Sequence, residues 1–166
     1  MPVTAERRSA SLKPVSLRVE STGFSAGGTL PVRFTADGDN VSPPIAWGEP
    51  PTGTQSFALI LEDPDAPSGT FIHWLAWDIK VGTRELDENI PPNDEVSGMR
   101  QGQNGFGRRG YGGPAPPPGG PHRYVFRIFA LDYRPELRSG ATRSQLDRAM
   151  RGHVLAEGHV IGTYGR

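Results

Sequence analysis

Residues 56–79 read SFALILEDPDAPSGTFIHWLAWDI, and this stretch decides the fold class. Ser56 to Glu62 is a compact apolar run that reads as a buried strand. It is ended by Asp63, Pro64, Asp65, Ala66 and Pro67, a turn composition, since Asp bonds its own backbone and Pro pre-sets φ. Phe71 to Ile79 is a second run of the same kind, and Tyr124 to Asp132 (YVFRIFALD) a third. Working outward, Leu17 to Glu20 and Leu30 to Thr35 read as shorter strands between Gly-rich turns. Thr142 and Gln145 fit a capping box. Leu146, Ala149, Met150, His153 and Val154 follow at helical spacing, which predicts a helix to about Glu157 with Gly158 as its stop. Val160 to Tyr164 reads as a last strand. The expected fold is mainly β: two packed antiparallel sheets, a β-sandwich, with one C-terminal helix.

Composition agrees. Glycine (22) and proline (17) make up nearly a quarter of the 166 residues, which favours turns over helices. The length suits one domain with its own core. There is no cysteine, so disulfides and thiolate metal sites are excluded. Eighteen basic and eighteen acidic residues cancel, so no long-range field favours nucleic acid or an anionic membrane surface. Any anion site must be built locally. No apolar stretch approaches the roughly 20 residues of a membrane span. Residues 1–16 hold Glu6, Arg7, Arg8 and Lys13 without an apolar segment, so they read as a flexible arm rather than a secretory signal. The domain is expected over 17–166, in the cytoplasm.

Side chains alternate faces along a strand, and three polar residues continue apolar faces. Asp63 follows Phe57, Leu59 and Leu61; His73 shares a face with Phe71, Leu75, Trp77 and Ile79; His122 precedes Tyr124, Phe126, Ile128 and Ala130. Antiparallel pairing would gather Asp63, His73, His122 and Tyr124 at one rim of the core. Asp87 to Pro121 has no sustained apolar period and contains GGPAPPPGG at 112–120. A loop that long in a compact domain is usually functional or disordered. Its backbone N–H groups could cradle an anion above the rim. Against this, a lone His at a strand end is more often structural, 63–67 reads equally as a plain turn, and the Pro-rich loop as a spacer. Zinc on Asp63, His73 and His122 would be a poor ligand set beside His-Glu-x-x-His. A Ser-His-Asp hydrolase lacks its Gly-x-Ser-x-Gly elbow, and without cysteine the thiol route is closed.

Several long motifs in order resemble the phosphatidylethanolamine-binding protein family, also called Raf-kinase-inhibitor-like, in its bacterial branch. They are DGDNVSPPIAW (37–47), DPDAP (63–67) with FIHW (71–74), GYGGPAPPPGGPHRY (110–124), and GHVLAE (152–157) with GTYG (162–165). The resemblance covers about residues 17 to 166. It implies a two-sheet fold with a small pocket for anions such as phosphate, phosphorylethanolamine head groups, acetate or cacodylate. Carried over by motif, the ligand-binding residues would be Asp63, Pro67, His73, His122 and Tyr124, with backbone at Gly113 to Ala115. The bacterial loop usually has cysteine where this chain has Ala115, and Ile72 stands where animal members carry the first of two histidines. The family also implies a cis bond at Ala66–Pro67.

The function expected from this is non-catalytic binding of small anions or phosphorylated head groups, with possible modulation of a partner protein as a kinase or protease inhibitor. The alternative is a phosphoester or ester hydrolase using the Asp/His cluster. No catalytic residue, cofactor or metal is assigned, and neither nucleic acid nor integral membrane association is expected. A homodimer is expected from the branch.

Overall fold

Residues 14–166 are described in a computed structural model of the chain; 1–13 lie outside the described residues. Most of the expected arm falls there. Its end does not: Val15–Ser16 form β1 and pair with the main sheet, so the sheet begins ahead of Leu17.

The three apolar runs become the central strands β4 (Ser56–Asp63), β5 (Phe71–Lys80) and β9 (His122–Leu131). The other strands are β2 (Val19–Glu20), β3 (Ile45–Trp47), β6 (Glu85–Leu86), β7 (Glu95–Val96), β8 (Met99–Gln101) and β10 (Val154–Tyr164). The larger sheet runs β1-β10-β9-β4-β5-β8-β7, antiparallel except for β1 on β10; the smaller runs β2-β3-β6. Phe57, Leu59, Leu61, Trp74, Phe126 and Ile128 pack toward the smaller sheet with Ile45 and Trp47. The other face of the larger sheet, with Ala58, Ile60, Leu75 and Trp77, lies under helix α1 (Arg143–Met150) through Leu146 and Met150. Covered on both sides, β4 is buried at every residue, which is why its sequence is a continuous apolar run rather than an alternating one.

Three local readings are corrected. Helix α1 has the expected capping box, Thr142 with Gln145, but ends at Met150. Gly152 takes φ +81°, and Val154 and Ala156 pair with Leu131 and Ala130, so tertiary pairing overrides the helical spacing of His153 and Val154. Residues 30–35 are not a strand. Pro31 leads into a 3₁₀ turn, Val32–Phe34, closed by Phe34 N–H to Pro31 O (3.0 Å) and Thr35 N–H to Val32 O (2.9 Å).

The third correction concerns β5. Its register against β4 slips between Phe57 and Leu59 and again between Leu61 and Glu62, each time with one extra residue on β5. The first bulge contains Asp78 at φ +57°, and the second contains His73 itself. Strict alternation therefore fails: Leu75 and Trp77 face α1, while Trp74, Ala76 and Ile79 face the smaller sheet. A bulge re-aims side chains, and this one sets His73 at the sheet rim without moving Trp74 out of the core.

Candidate functional site

β4 ends where β9 begins, so Asp63 and His122 meet across two antiparallel strands, and β5 starts beside them. His122 Nδ1 lies 2.7 Å from Asp63 Oδ2. Asp63 Oδ1 accepts the Asp65 N–H at 2.8 Å, so both carboxylate oxygens are engaged. His73 Nδ1 lies 2.6 Å from the Gly112 carbonyl oxygen, and its ring packs edge-on to Tyr124 at 5.3 Å. Because carbonyl and carboxylate oxygens only accept, each Nδ1 carries the proton. Nε2 is then the nitrogen each ring has left for a ligand, and neither has a hydrogen-bond partner among the described residues.

These residues enclose a cavity of about 150 Å³ lined by Asp63, Ala66, Pro67, Phe71, His73, Phe106, Ala115, Pro116, Pro117, His122 and Tyr124. Burial pushes the His73 imidazole below its ordinary range, partly offset by the Gly112 carbonyl and by Asp63. Burial likewise pushes the Tyr124 phenol up, with Asp63 adding to it. The Tyr124 hydroxyl is enclosed and has no hydrogen-bond partner among the described residues.

The supports are polar. Asp65 takes the Arg123 backbone N–H at 2.9 Å and its guanidinium at 2.9 and 2.8 Å, which lowers its carboxyl to about 2. Arg166 donates to Asp37 and to the Pro116 carbonyl (3.1 Å), tying down the Pro-rich wall, and Tyr164 donates to Asp37 at 2.7 Å.

Of the expected ligand-binding residues, Asp63, Pro67, His73, Ala115, His122 and Tyr124 line one cavity. Gly113 does not. Its N–H donates to Asn40 Oδ1 at 2.8 Å, while the Gly112 N–H is taken by His73 O at 2.9 Å. Prolines have no N–H, so the expected cradle reduces to the Ala115 N–H, the one amide of 112–118 without a partner among the described residues. Ala66–Pro67 is not cis: no cis bond occurs among the described residues, and the turn is closed by the Asp65 bond to Asp63 and by Gly69 N–H to Ala66 O (3.1 Å). Phe106 was missed, since a lone aromatic among glycines has no periodic signal. Asn40, inside the 37–47 motif, had no assigned role because its partner Gly113 is remote in sequence.

A family model described as phosphatidylethanolamine-binding protein matches residues 20–165. The chain belongs to that family. Among relatives, a UPF0098 protein of Aquifex aeolicus is 50% identical over 152 residues, covering 90% of this chain and 89% of its own. A Mycobacterium tuberculosis protein named as a lipoprotein, LppC, is 34% identical over 149 residues, 89% of this chain and 72% of its own. Among solved structures, Escherichia coli YbcL superposes with TM-score 0.85 at 28% identity, covering 92% of this chain and 99% of that one. A Chlamydia trachomatis phosphatidylethanolamine-binding protein homologue gives 0.83 at 33% identity, with 91% and 98% covered. The fold these members share with the chain is the expected two-sheet one. Among the described residues no helix is long and apolar enough to cross a membrane, and no cluster of three or more His, Cys, Asp or Glu could hold a metal ion.

Proposed function

We propose that the cavity binds a small anion, a phosphate or the phosphoryl end of a larger molecule, without turning it over. The observation that carries this is the pairing of two imidazoles in one small cavity, each held through Nδ1 by an oxygen acceptor. Such an acceptor favours the imidazolium form, in which Nε2–H becomes a donor toward a ligand. The Asp63 charge is spent on His122 and on the Asp65 amide, so it does not face an incoming anion unscreened. The Ala115 N–H and the Tyr124 hydroxyl supply neutral donors.

Binding should take up protons. His73 is held below its usual pKa by burial, so it is largely neutral at pH 7.5 in the free protein and charges as an anion arrives. Phosphate affinity therefore rises as pH falls from 8 toward 6. Charge-assisted hydrogen bonds contribute about 1.5–3 kcal/mol, so His73→Ala and His122→Ala should each weaken phosphate binding by about 10- to 100-fold, and His73→Ala should also flatten the pH profile. Calorimetric titration with inorganic phosphate tests this; equal affinity in wild type and both variants would place the anion elsewhere or nowhere.

A second reading follows from the Asp63–His122 pair, a carboxylate orienting an imidazole as in general-base catalysis. Among the described residues no Ser, Thr or Lys lines the cavity, and Asp63 is engaged by His122 and the Asp65 N–H, so this reading takes a water activated by His122 as the nucleophile. Sustained release of product from simple phosphoesters, lost in His122→Ala, would favour that reading over binding alone.

A further inference from the structure

The anion cavity has a neighbour. A second cavity of about 520 Å³ is lined in part by Asp39, Asn40, Asn104, Arg108 and Tyr111, and Phe106 forms a wall of both. At about 150 Å³ the first lies below the roughly 300–1,000 Å³ of small-molecule sites, so by itself it holds only the end of a ligand. With the second the space falls within that range.

The loop dividing them is built around one buried side chain. Asn104 is 4% exposed, and its Oδ1 accepts the N–H groups of Phe106 (2.9 Å) and Arg108 (3.2 Å). Its Nδ2 donates to Gly110 O at 2.9 Å, and its own N–H donates to Arg108 O at 2.8 Å. Phe106 is thereby presented while 44% exposed, its ring edge-on to Phe71 at 4.9 Å and to His73 at 5.7 Å. Glycines make the room: a Cβ on Gly105 would come within 2.5 Å of the Phe71 ring, and one on Gly112 within 2.6 Å of the Phe106 ring. An exposed aromatic fixed this firmly between two cavities is a surface for ligand carbon.

Charge distinguishes the far side. Arg109 Nε faces Asp94 at 3.2 Å, and Arg33 is paired with Glu88. Asp39 lies in the field of Arg33. Arg108 also lines the second cavity; the residue is exposed, and its guanidinium has no carboxylate partner among the described residues.

We propose that the two cavities form one elongated site for a small ligand anionic at both ends: a phosphoryl group between His73 and His122, a short carbon chain across Phe106, and a carboxylate on Arg108. This rests on the anion-binding reading of the first cavity and adds the ligand class. Phosphorylated or phosphonylated carboxylic acids fit it.

The test is a ruler. Phosphonoalkanoates of increasing chain length are titrated calorimetrically beside alkylphosphonates of the same length and beside inorganic phosphate, with wild type and Arg108→Gln. At one chain length the terminal carboxylate should strengthen binding about tenfold in wild type, the contribution of one charged pair. Arg108→Gln should erase that gain and leave inorganic phosphate unaffected. A carboxylate gain below twofold at every length overturns the inference while phosphate binding still upholds the first cavity. Equal weakening of phosphate and phosphonoalkanoates by Arg108→Gln also overturns it, since Arg108 would then act at the phosphoryl end. Failure of inorganic phosphate and alkylphosphonates to bind at all overturns the anion cavity, and this inference with it.

Discussion

Replacing Tyr124 by Phe should move stability and binding in opposite directions. Tyr124 is 1% exposed and its hydroxyl has no hydrogen-bond partner among the described residues. In protein mutants, an enclosed hydroxyl without a hydrogen bond costs about 1–3 kcal/mol. Removing one oxygen leaves little void, so the phosphate-free variant should be more stable by about 1 kcal/mol. For a domain of this size that raises Tm by roughly 2–4 °C. Urea unfolding should show a higher midpoint with unchanged slope, because the area exposed on unfolding hardly changes. Phosphate reverses the order of gains. At phosphate about 100 times Kd, binding adds about 2.7 kcal/mol to the wild type. If the hydroxyl contributes about 1.4 kcal/mol to the bound anion, Kd rises about tenfold and the variant gains only about 1.4 kcal/mol at the same concentration. The stability advantage of Tyr124→Phe therefore vanishes in phosphate. A variant less stable than wild type in phosphate-free buffer would refute the claim of an unpaired hydroxyl. Equal phosphate gains in both proteins would show that the hydroxyl stays enclosed and is no ligand donor.

Other perturbations have equally definite signs. Glu62 is buried between Arg143 (2.6 Å) and Arg127 (2.9 Å); burial opposes its charge, but the two guanidinium groups hold its carboxyl below the usual range. Glu62→Gln should cost about 2 kcal/mol at pH 7, less than a fully buried pair because both arginines stay partly hydrated; the stabilisation exists above the unfolded pKa and fades as pH falls through the folded one, so urea midpoints of variant and wild type should converge as pH falls below the ordinary carboxylate range. His73 has a folded pKa below its unfolded value, so the unfolded chain binds more protons and phosphate-free stability drops as pH falls below about 6.5; the drop should be shallower in His73→Gln. Asn104→Ala removes three side-chain hydrogen bonds from the loop bearing Phe106 and should cost about 2 kcal/mol, read by thermal unfolding.

Much of this molecule follows from local pattern alone. The runs at 56–62, 71–79 and 124–132 carry strand character in their own composition and length, and the Thr142–Gln145 box precedes apolar residues at helical spacing, because both signals depend on neighbours a few residues apart. The placement of Asp63, His122 and Tyr124 at one rim was legible for the same reason: β4 and β9 run without a break in their pairing, so period two holds along them. What only the tertiary structure decided lies where the pairing partner sets the geometry. The bulges in β5 flip Leu75 and Trp77 to the helix face and re-aim His73, and a one-residue slip against β4 has no signature within β5 itself. Residues 154–157 continue the helical spacing yet open β10, since β9 offers a ladder of pairing partners from Leu131 back to His122. The Gly113 N–H is lost to Asn40, Phe106 becomes the wall of two cavities, and Arg108 is left without a carboxylate partner among the described residues, through the way segments distant in sequence pack. Strand and helix periods are properties of the chain; which donors remain free for a ligand is a property of who else has claimed them, and that is settled only when the segments pack.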